Sequence, residues 1–519
     1  MDKVFRGGRG MADHLQRGLS AARTRNADEA ARWFRKAVDE DPSNGQARAW
    51  LGQALCAAGH RLEGTRHLGQ AGDSLLAMAE DGAGTVAPLL DIIIQLQHWG
   101  DVAAALALCR GAAAVEADNP RLQELLALCC SQLNMVDEAL ASGSLAATLS
   151  PDQPMLKVLC ASLEIDAGRL PDARARLARV LASEPRSMAG FRAHKEMARL
   201  LDKQGDYDGA FAHLESSGRL SRRLDAFQRI DHTLILRVIA LNRQVYRRAV
   251  LDRWSNAAFP GRAAPVFLVG FFRSGTTLTQ AVLATHPAVF VADEGDMLHE
   301  TQREMHRIDP SSSSTADKIA RLTRADILRL RTYYWGWARA RYGAAIDRPV
   351  FVDKFTMNTV DAGFINCIFP DARMVFMVRD PRDVCLSSFM QLMVSTPATV
   401  HLHEWSTTLS FYAAVMDWWL YIRDQLTMRW TEVRYEDGVT RFEATYTALL
   451  SFLGLEWDPA LHDFHTQAAR KFITSPSRNQ VVRPLYQSSV ERWRHYRRHV
   501  AGGAEQLAPF VSAFGYPPT

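Results

Sequence analysis

The sequence predicts two folds in tandem: an all-α repeat solenoid, then an α/β domain with a parallel β-sheet flanked by helices. Two observations predict this. Small and apolar residues recur with a 34-residue period through the first 220 positions, and beyond Pro265 short apolar runs of strand type alternate with helical ones. A third observation, the glycine-bounded loop at 270–277 directly after the first such run, puts a candidate anion site in the second part. At 519 residues the chain is too long for one core, because a single domain usually spans roughly 100–200 residues.

The repeats come first. Ala30, Phe34, Ala37 and Pro42 fit the second-helix signature of a tetratricopeptide repeat, and Gly64, Leu68 and Ala71 repeat it 34 residues later. Ala139, Gly143, Ala146 and Pro151 give it again, followed at the same period by Ala173, Leu177 and Pro185. WGDVAAALALC (99–109) and GDYDGAFAHLE (205–215) read as two further units with shifted spacing. Small residues are needed because paired helices approach closely only where Ala or Gly faces the neighbour, and each pair buries its apolar face against the next. A tetratricopeptide solenoid is therefore expected over 11–220, with a groove for a peptide or protein ligand; self-association of the chain is the alternative use.

A helical connector follows over 221–263, punctuated by Pro and Gly near its end. The second domain is expected over 264–519. Its strands read VFLVG, PVFVDKF, RMVFMVR and MRWTEVR, its helices TLTQAVLATHP, DAGFINCIF, CLSSFMQLM and FEATYTALLSFLG. SSSS at 311–314 reads as an exposed loop.

Gly270 and Gly275 have P-loop spacing and Thr277 fills the hydroxyl position, but Thr276 stands where the lysine belongs. In nucleotide triphosphatases that lysine reaches the terminal phosphates. The donors that remain are backbone N–H groups at Gly275 and at a helix start, together with Arg273, Ser274, Thr276 and Thr277. They suit a smaller, less charged anion such as a phosphosulfate. A second strand run, RMVFMVRDPRDVCLSSF, delivers Arg379 with Ser387 eight residues on, as a second phosphate would need. In HPAVFVADEGD, which begins at His286, Glu294 is expected just past a strand end, where a carboxylate acts as general base on a phenol or alcohol. Asp293 and Asp296 compete for that role, and a solvated acidic loop is the plainer reading.

These segments together resemble the sulfotransferase family, whose donor is 3′-phosphoadenosine 5′-phosphosulfate (PAPS), from about residue 264 to near the C-terminus. The resemblance implies a 5′-phosphosulfate loop at Gly270–Thr277, a 3′-phosphate site at Arg379 and Ser387, and no metal. It implies that Lys354 steadies the leaving-group oxygen while Arg273 shares the sulfuryl charge. Tyr435 in VRYED matches a tyrosine near the adenosine, and RPLYQSSVERWRHYRRH (483–499) resembles a lid from which Arg492 reaches the 3′-phosphate. Glu294 matches the glutamate base of the tyrosylprotein branch, which implies tyrosine of a protein or peptide as acceptor. Glu491 stands where that branch has a serine and Gln391 where it has an arginine, with Ser489 a substitute hydroxyl. His401 and His403 are read either as acceptor lining or as structural. The other function classes are a P-loop kinase or NTPase, which Thr276 opposes, and a repeat scaffold with an inactive transferase domain.

Composition fits a globular chain: 47% hydrophobic and 23% charged. A net charge of +4 is too small to argue for nucleic acid but suits anionic ligands. No apolar run reaches the roughly 18 residues of a membrane span, and the first residues carry no apolar signal core. Seven cysteines without a C-x-x-C pair predict buried thiols and a reducing, cytoplasmic setting.

Overall fold

The computed structural model describes residues 7–24, 26–295, 297–311, 314–470, 485 and 487–518. Asp296, Ser312, Ser313 and the lid residues Arg483, Pro484 and Tyr486 lie outside them. Contacts divide the chain into two compact units, Met1–Arg176 with Gly336–Ala344, and Leu177–Trp335 with Ala345–Thr519. The division falls inside the 11–220 repeat array.

The first unit holds α1 (Gly7–Arg23), α2 (Ala27–Glu40), α3 (Gly45–Ala57), α4 (Arg61–Glu80), α5 (Ala87–His98), α6 (Val102–Val115), α7 (Pro120–Gln132), α8 (Val136–Leu149), α9 (Pro154–Asp166) and the start of α10 (Leu170–Ser183). Short polar turns begin many of them. Asn26, Asn44, Asp101 and Asn119 each accept a hydrogen bond from a backbone N–H of the first turn of the helix they precede. The signature residues are those that pack: Ala30, Ala37, Leu68, Ala71, Ala139 and Ala146 are fully buried. Gly64 explains the choice of small residues, since a Cβ there would lie 2.4 Å from Cys56 Sγ and 2.7 Å from the Gly52 carbonyl oxygen. Helices α3 and α4 touch backbone to backbone at this crossing.

The second unit opens with the rest of α10, then α11 (Met188–Lys203), α12 (Tyr207–Ser221) and α13 (Leu234–Val245). The connector read as one long helical stretch is broken, with α13 followed by short turns at Arg248–Leu251 and Asp252–Trp254. Five parallel strands follow: β1 (Val266–Gly270), β2 (Val289–Asp293), β3 (Val350–Lys354), β4 (Arg373–Val378) and β5 (Arg429–Arg434), in the order β2-β3-β1-β4-β5. Between them run α14 (Thr276–Leu283), α15 (Ala362–Ile368), α16 (Pro381–Met390) and α17 (Trp405–Arg423); after β5 come α18 (Tyr435–Thr440) and α19 (Phe442–Leu453), and α20 (Ala504–Ala513) lies near the end.

The central strands are apolar throughout because both sheet faces are covered. Val266, Leu268, Val352, Val375 and Met377 pack with Val282, Leu449 and Leu450 on one face. On the other, Phe376 stacks on Trp419 at 3.9 Å between ring centroids, and Trp418 Nε1 donates to the Thr359 carbonyl at 3.0 Å. All seven cysteines are buried and none forms a disulfide. No described helix is long and apolar enough to cross a membrane.

Candidate active site

Strand order decides which residues meet. Parallel pairing sets Asp293 opposite Lys354 and Gly270 opposite Met377, so the carboxyl ends of the strands present, in a row, Glu294, Lys354, the Gly270 loop, Arg379 and Tyr435. The chain leaves β1 toward β3 and β2, then returns to β4 on the other side. Such a reversal opens a crevice at the strand ends, the usual ligand position in open α/β sheets.

The loop after β1 is braced from below. Thr359 Oγ1 accepts from the Gly270 N–H at 3.0 Å and donates to its carbonyl at 2.7 Å, and Thr276 and Thr356 hydroxyls lie 3.3 Å apart. Gly275 has φ +102°, and a Cβ there would lie 2.6 Å from Tyr435 Cδ2, so the position requires glycine on two counts. Arg273 also takes the left-handed region, at φ +66°. This aims Arg273 at α16, where its Nε donates to Ser387 Oγ at 3.0 Å. Arg379 Nη1 donates to the Arg273 carbonyl at 2.9 Å, its Nη2 donates to the Ser489 carbonyl at 2.6 Å, and its guanidinium lies 4.7 Å from the centre of the Tyr435 ring. Arg273, Arg379, Ser387 and Tyr435 are thereby brought together.

Two donors in this group have no acceptor. The Ser274 hydroxyl and Arg379 Nε are buried without a hydrogen-bond partner among the described residues, in residues only 2% and 6% exposed. Leaving buried donors unmade costs about 1–3 kcal/mol each, and an anion's oxygens are what these two groups lack. The residues present therefore fit a phosphate- or phosphosulfate-bearing ligand.

The other half of the row is an ion pair. Lys354 Nζ, fully buried, lies 2.7 Å from Glu294 Oε1 and 3.3 Å from Asp293 Oδ1. Burial works against its ammonium, but the two carboxylates outweigh it and hold the Lys354 pKa above its ordinary value. Glu294 is held at φ +45° by its N–H, which donates to the Lys354 carbonyl at 2.8 Å. The described non-glycine residues with positive φ are Asn134, Arg273, Glu294 and Glu491, so two are candidate catalytic residues. Backbone strain of this kind persists where surrounding structure enforces it.

Arg492 is held elsewhere. It pairs with Asp202 of α11, and Tyr496 Oη donates to the same carboxylate at 2.7 Å. Glu491 pairs with Arg494 at 2.7 Å, and Gln391 Nε2 donates to the Leu392 carbonyl at 3.4 Å. His403 sits among Phe191 and Phe227 with Nε2 3.0 Å from Ser395 Oγ. Burial pushes its pKa down to about 3, so it is a neutral core residue. His401 stacks on Phe411 at 4.5 Å, and burial lowers its pKa as well. His286 closes the turn into β2, accepting from the Ala288 N–H at 3.1 Å. Thr356 and Thr359 carried no motif signal and act by proximity alone, while Asp293, read as a competitor for the base role, is the second carboxylate on Lys354.

Residues 265–459 match the model of the sulfotransferase family, and residues 15–60 and 161–218 match a tetratricopeptide repeat model. Among relatives, an uncharacterized protein of Aquifex aeolicus is 24% identical over 74% of this chain and 50% of its own length. The protein-tyrosine sulfotransferase of Drosophila melanogaster is 26% identical over 49% of this chain and 52% of its own, and protein-tyrosine sulfotransferase 2 of Gallus gallus 24% over 49% and 69%. The chain spans about half the length of the first two. Among solved structures, the sulfotransferase domain from the curacin biosynthetic pathway aligns at TM-score 0.32 and 16% identity, covering 50% of this chain and 100% of that one. Pseudomonas aeruginosa pilF aligns at 0.31 and 20%, covering 43% and 96%.

Proposed function

We propose that the chain moves the sulfuryl group of PAPS to an acceptor hydroxyl, with tyrosine of a protein or peptide as the acceptor class. The observation that carries this reading is the row at the strand ends, where unpartnered phosphate donors adjoin a carboxylate–ammonium pair.

The donor, when bound, supplies an activated sulfur–oxygen bond. Ser274, Thr276, Thr277 and the Gly275 backbone hold its phosphosulfate, Arg379 and Ser387 its 3′-phosphate, and Tyr435 its adenosine, while Arg273 shares the sulfuryl charge. Arg492 stays a lid anchor through Asp202. The acceptor O–H gives its proton to Glu294 as its oxygen bonds to sulfur, and the bond from sulfur to the bridging oxygen breaks. Protonation of Glu294 weakens its hold on Lys354, whose Nζ then donates to the bridging oxygen left on the nucleotide. Asp293 stays beside Lys354 and keeps it charged through this exchange.

Tyrosine is favoured by the position of Glu294 and by relatives named protein-tyrosine sulfotransferases. The repeats are assigned to a protein or peptide partner, and a cytoplasmic setting accords with seven cysteines that form no disulfide.

Two measurements test the reading. 3′-Phosphoadenosine 5′-phosphate at 100 times its Kd should stabilise the protein by about 2.7 kcal/mol; no stabilisation would remove the donor assignment. Labelled sulfate should pass from PAPS to a tyrosine peptide, and Glu294→Gln should cut that rate by about 10²–10⁴-fold while leaving nucleotide stabilisation intact. Full turnover by Glu294→Gln would reassign the base.

A further inference from the structure

The C-terminal part of the second unit forms a cavity of about 780 Å³ that none of Glu294, Lys354, Arg273, Arg379 or Tyr435 lines. Its size lies within the roughly 300–1,000 Å³ of small-molecule sites. Val500, Leu507, Val511 and Tyr516 supply largely apolar walls. Arg382, Trp493 and Arg497 also line it, and no Asp or Glu does.

Arg382 is anchored on one side only. Its Nε and Nη2 hold the Asp380 carboxylate at 2.9 and 2.6 Å, and Nη2 also reaches the Pro517 carbonyl at 3.1 Å. Nη1 has no acceptor among the described residues, although the residue is 2% exposed. Trp493 is 4% exposed and its indole Nε1 likewise has no acceptor. The Arg382 guanidinium lies over the Trp493 ring, 4.0 Å from its centre, so the two unmet donors belong to side chains in contact. An indole N–H and a guanidinium can only donate. What would satisfy them is an oxygen acceptor; Asp380 already meets the Arg382 charge, and Arg497, with no carboxylate in the lining, favours a charged one.

We propose that this cavity binds a small amphiphile whose carboxylate accepts from Arg382 Nη1 and Trp493 Nε1 and whose hydrocarbon body lies against Val500, Leu507 and Val511. The site is separate from sulfuryl transfer. It adjoins the phosphate side of the row, because the Trp493 backbone N–H donates to Asp383 Oδ1 at 2.8 Å and the Asp383 carboxylate lies 3.9 Å from Arg379 Nη2.

The test is calorimetric titration of the full chain with decanoate, with decanol of equal chain length as the uncharged control. Decanoate is expected to bind saturably and decanol at least about 10-fold more weakly. Trp493→Phe keeps the ring and removes the donor, and should weaken decanoate about 10-fold. Ala508→Trp, at an exposed lining position, should fill the cavity and abolish binding. Should Trp493→Phe lose its cooperative melt, Arg497→Gln replaces it and should weaken decanoate several-fold with decanol unchanged. Absence of saturable decanoate binding, equal affinity for decanol, or undiminished binding by Ala508→Trp would each overturn the proposal.

Discussion

Lys195 supports the site almost out of reach of solvent. It is 2% exposed on α11, and its Nζ donates to the Phe389 carbonyl at the end of α16. That helix carries Ser387, which receives Arg273, and Ser388, whose hydroxyl donates to the Phe272 carbonyl at 3.3 Å. Burial alone pulls the Lys195 pKa down to about 7, where the unfolded chain keeps it near the ordinary lysine value of about 10.4. Between these limits the unfolded state binds more protons than the native one, so stability rises with pH across that window and its gain is lost as pH falls through about 7. Urea unfolding at pH 7, 8 and 9 should give the wild type a slope up to about 1.4 kcal/mol per pH unit above that of Lys195→Met. Parallel slopes for the two proteins would remove the assignment.

At the scale of elements, the loop between β1 and α14 is a fixed shape rather than a flexible tether. Thr359 clamps its first residue, Gly275 ends it with φ +102°, and Tyr435 occupies the space a side chain would need. Gly275→Ala should therefore cost about 1–3 kcal/mol of stability. It should also weaken 3′-phosphoadenosine 5′-phosphate, because Tyr435 must move; chemical denaturation and a nucleotide titration read the two effects. An unchanged denaturation midpoint would show that the loop relaxes freely. Strands β1 and β4 were legible from their apolar runs, because a strand covered on both faces is apolar. The end of α16 was not. The sequence CLSSFMQLM continues the helical pattern, but the helix stops at Met390, with Gln391 in extended backbone.

At the scale of the whole molecule, the last repeat pair belongs to the second unit. Asp202 holds Arg492 and Tyr496, Asp208 lies 2.7 Å from His499, Arg222 pairs with Glu404, and Phe211 stacks on His499 at 4.2 Å. A fragment of residues 221–519 leaves Phe389, Trp405 and Tyr496 without Lys195 and Phe211, whereas 184–519 retains them. The shorter fragment is expected to melt without cooperativity and the longer one cooperatively, as circular dichroism would report; equal melts would make α11 and α12 dispensable. The sequence by itself determined the repeat period, the apolar strands and the glycine-bounded loop, because burial periodicity and turn chemistry are local, and it offered Glu294, Lys354, Arg379 and Ser387 as candidates. Only the tertiary structure decided that Lys354 lies between two carboxylates 60 and 61 residues away, that Arg492 turns to Asp202 across 290 residues, and that Arg382 and Trp493 share a cavity. Those partnerships follow from the β2-β3-β1-β4-β5 strand order and from long-range docking, which no short-range spacing encodes.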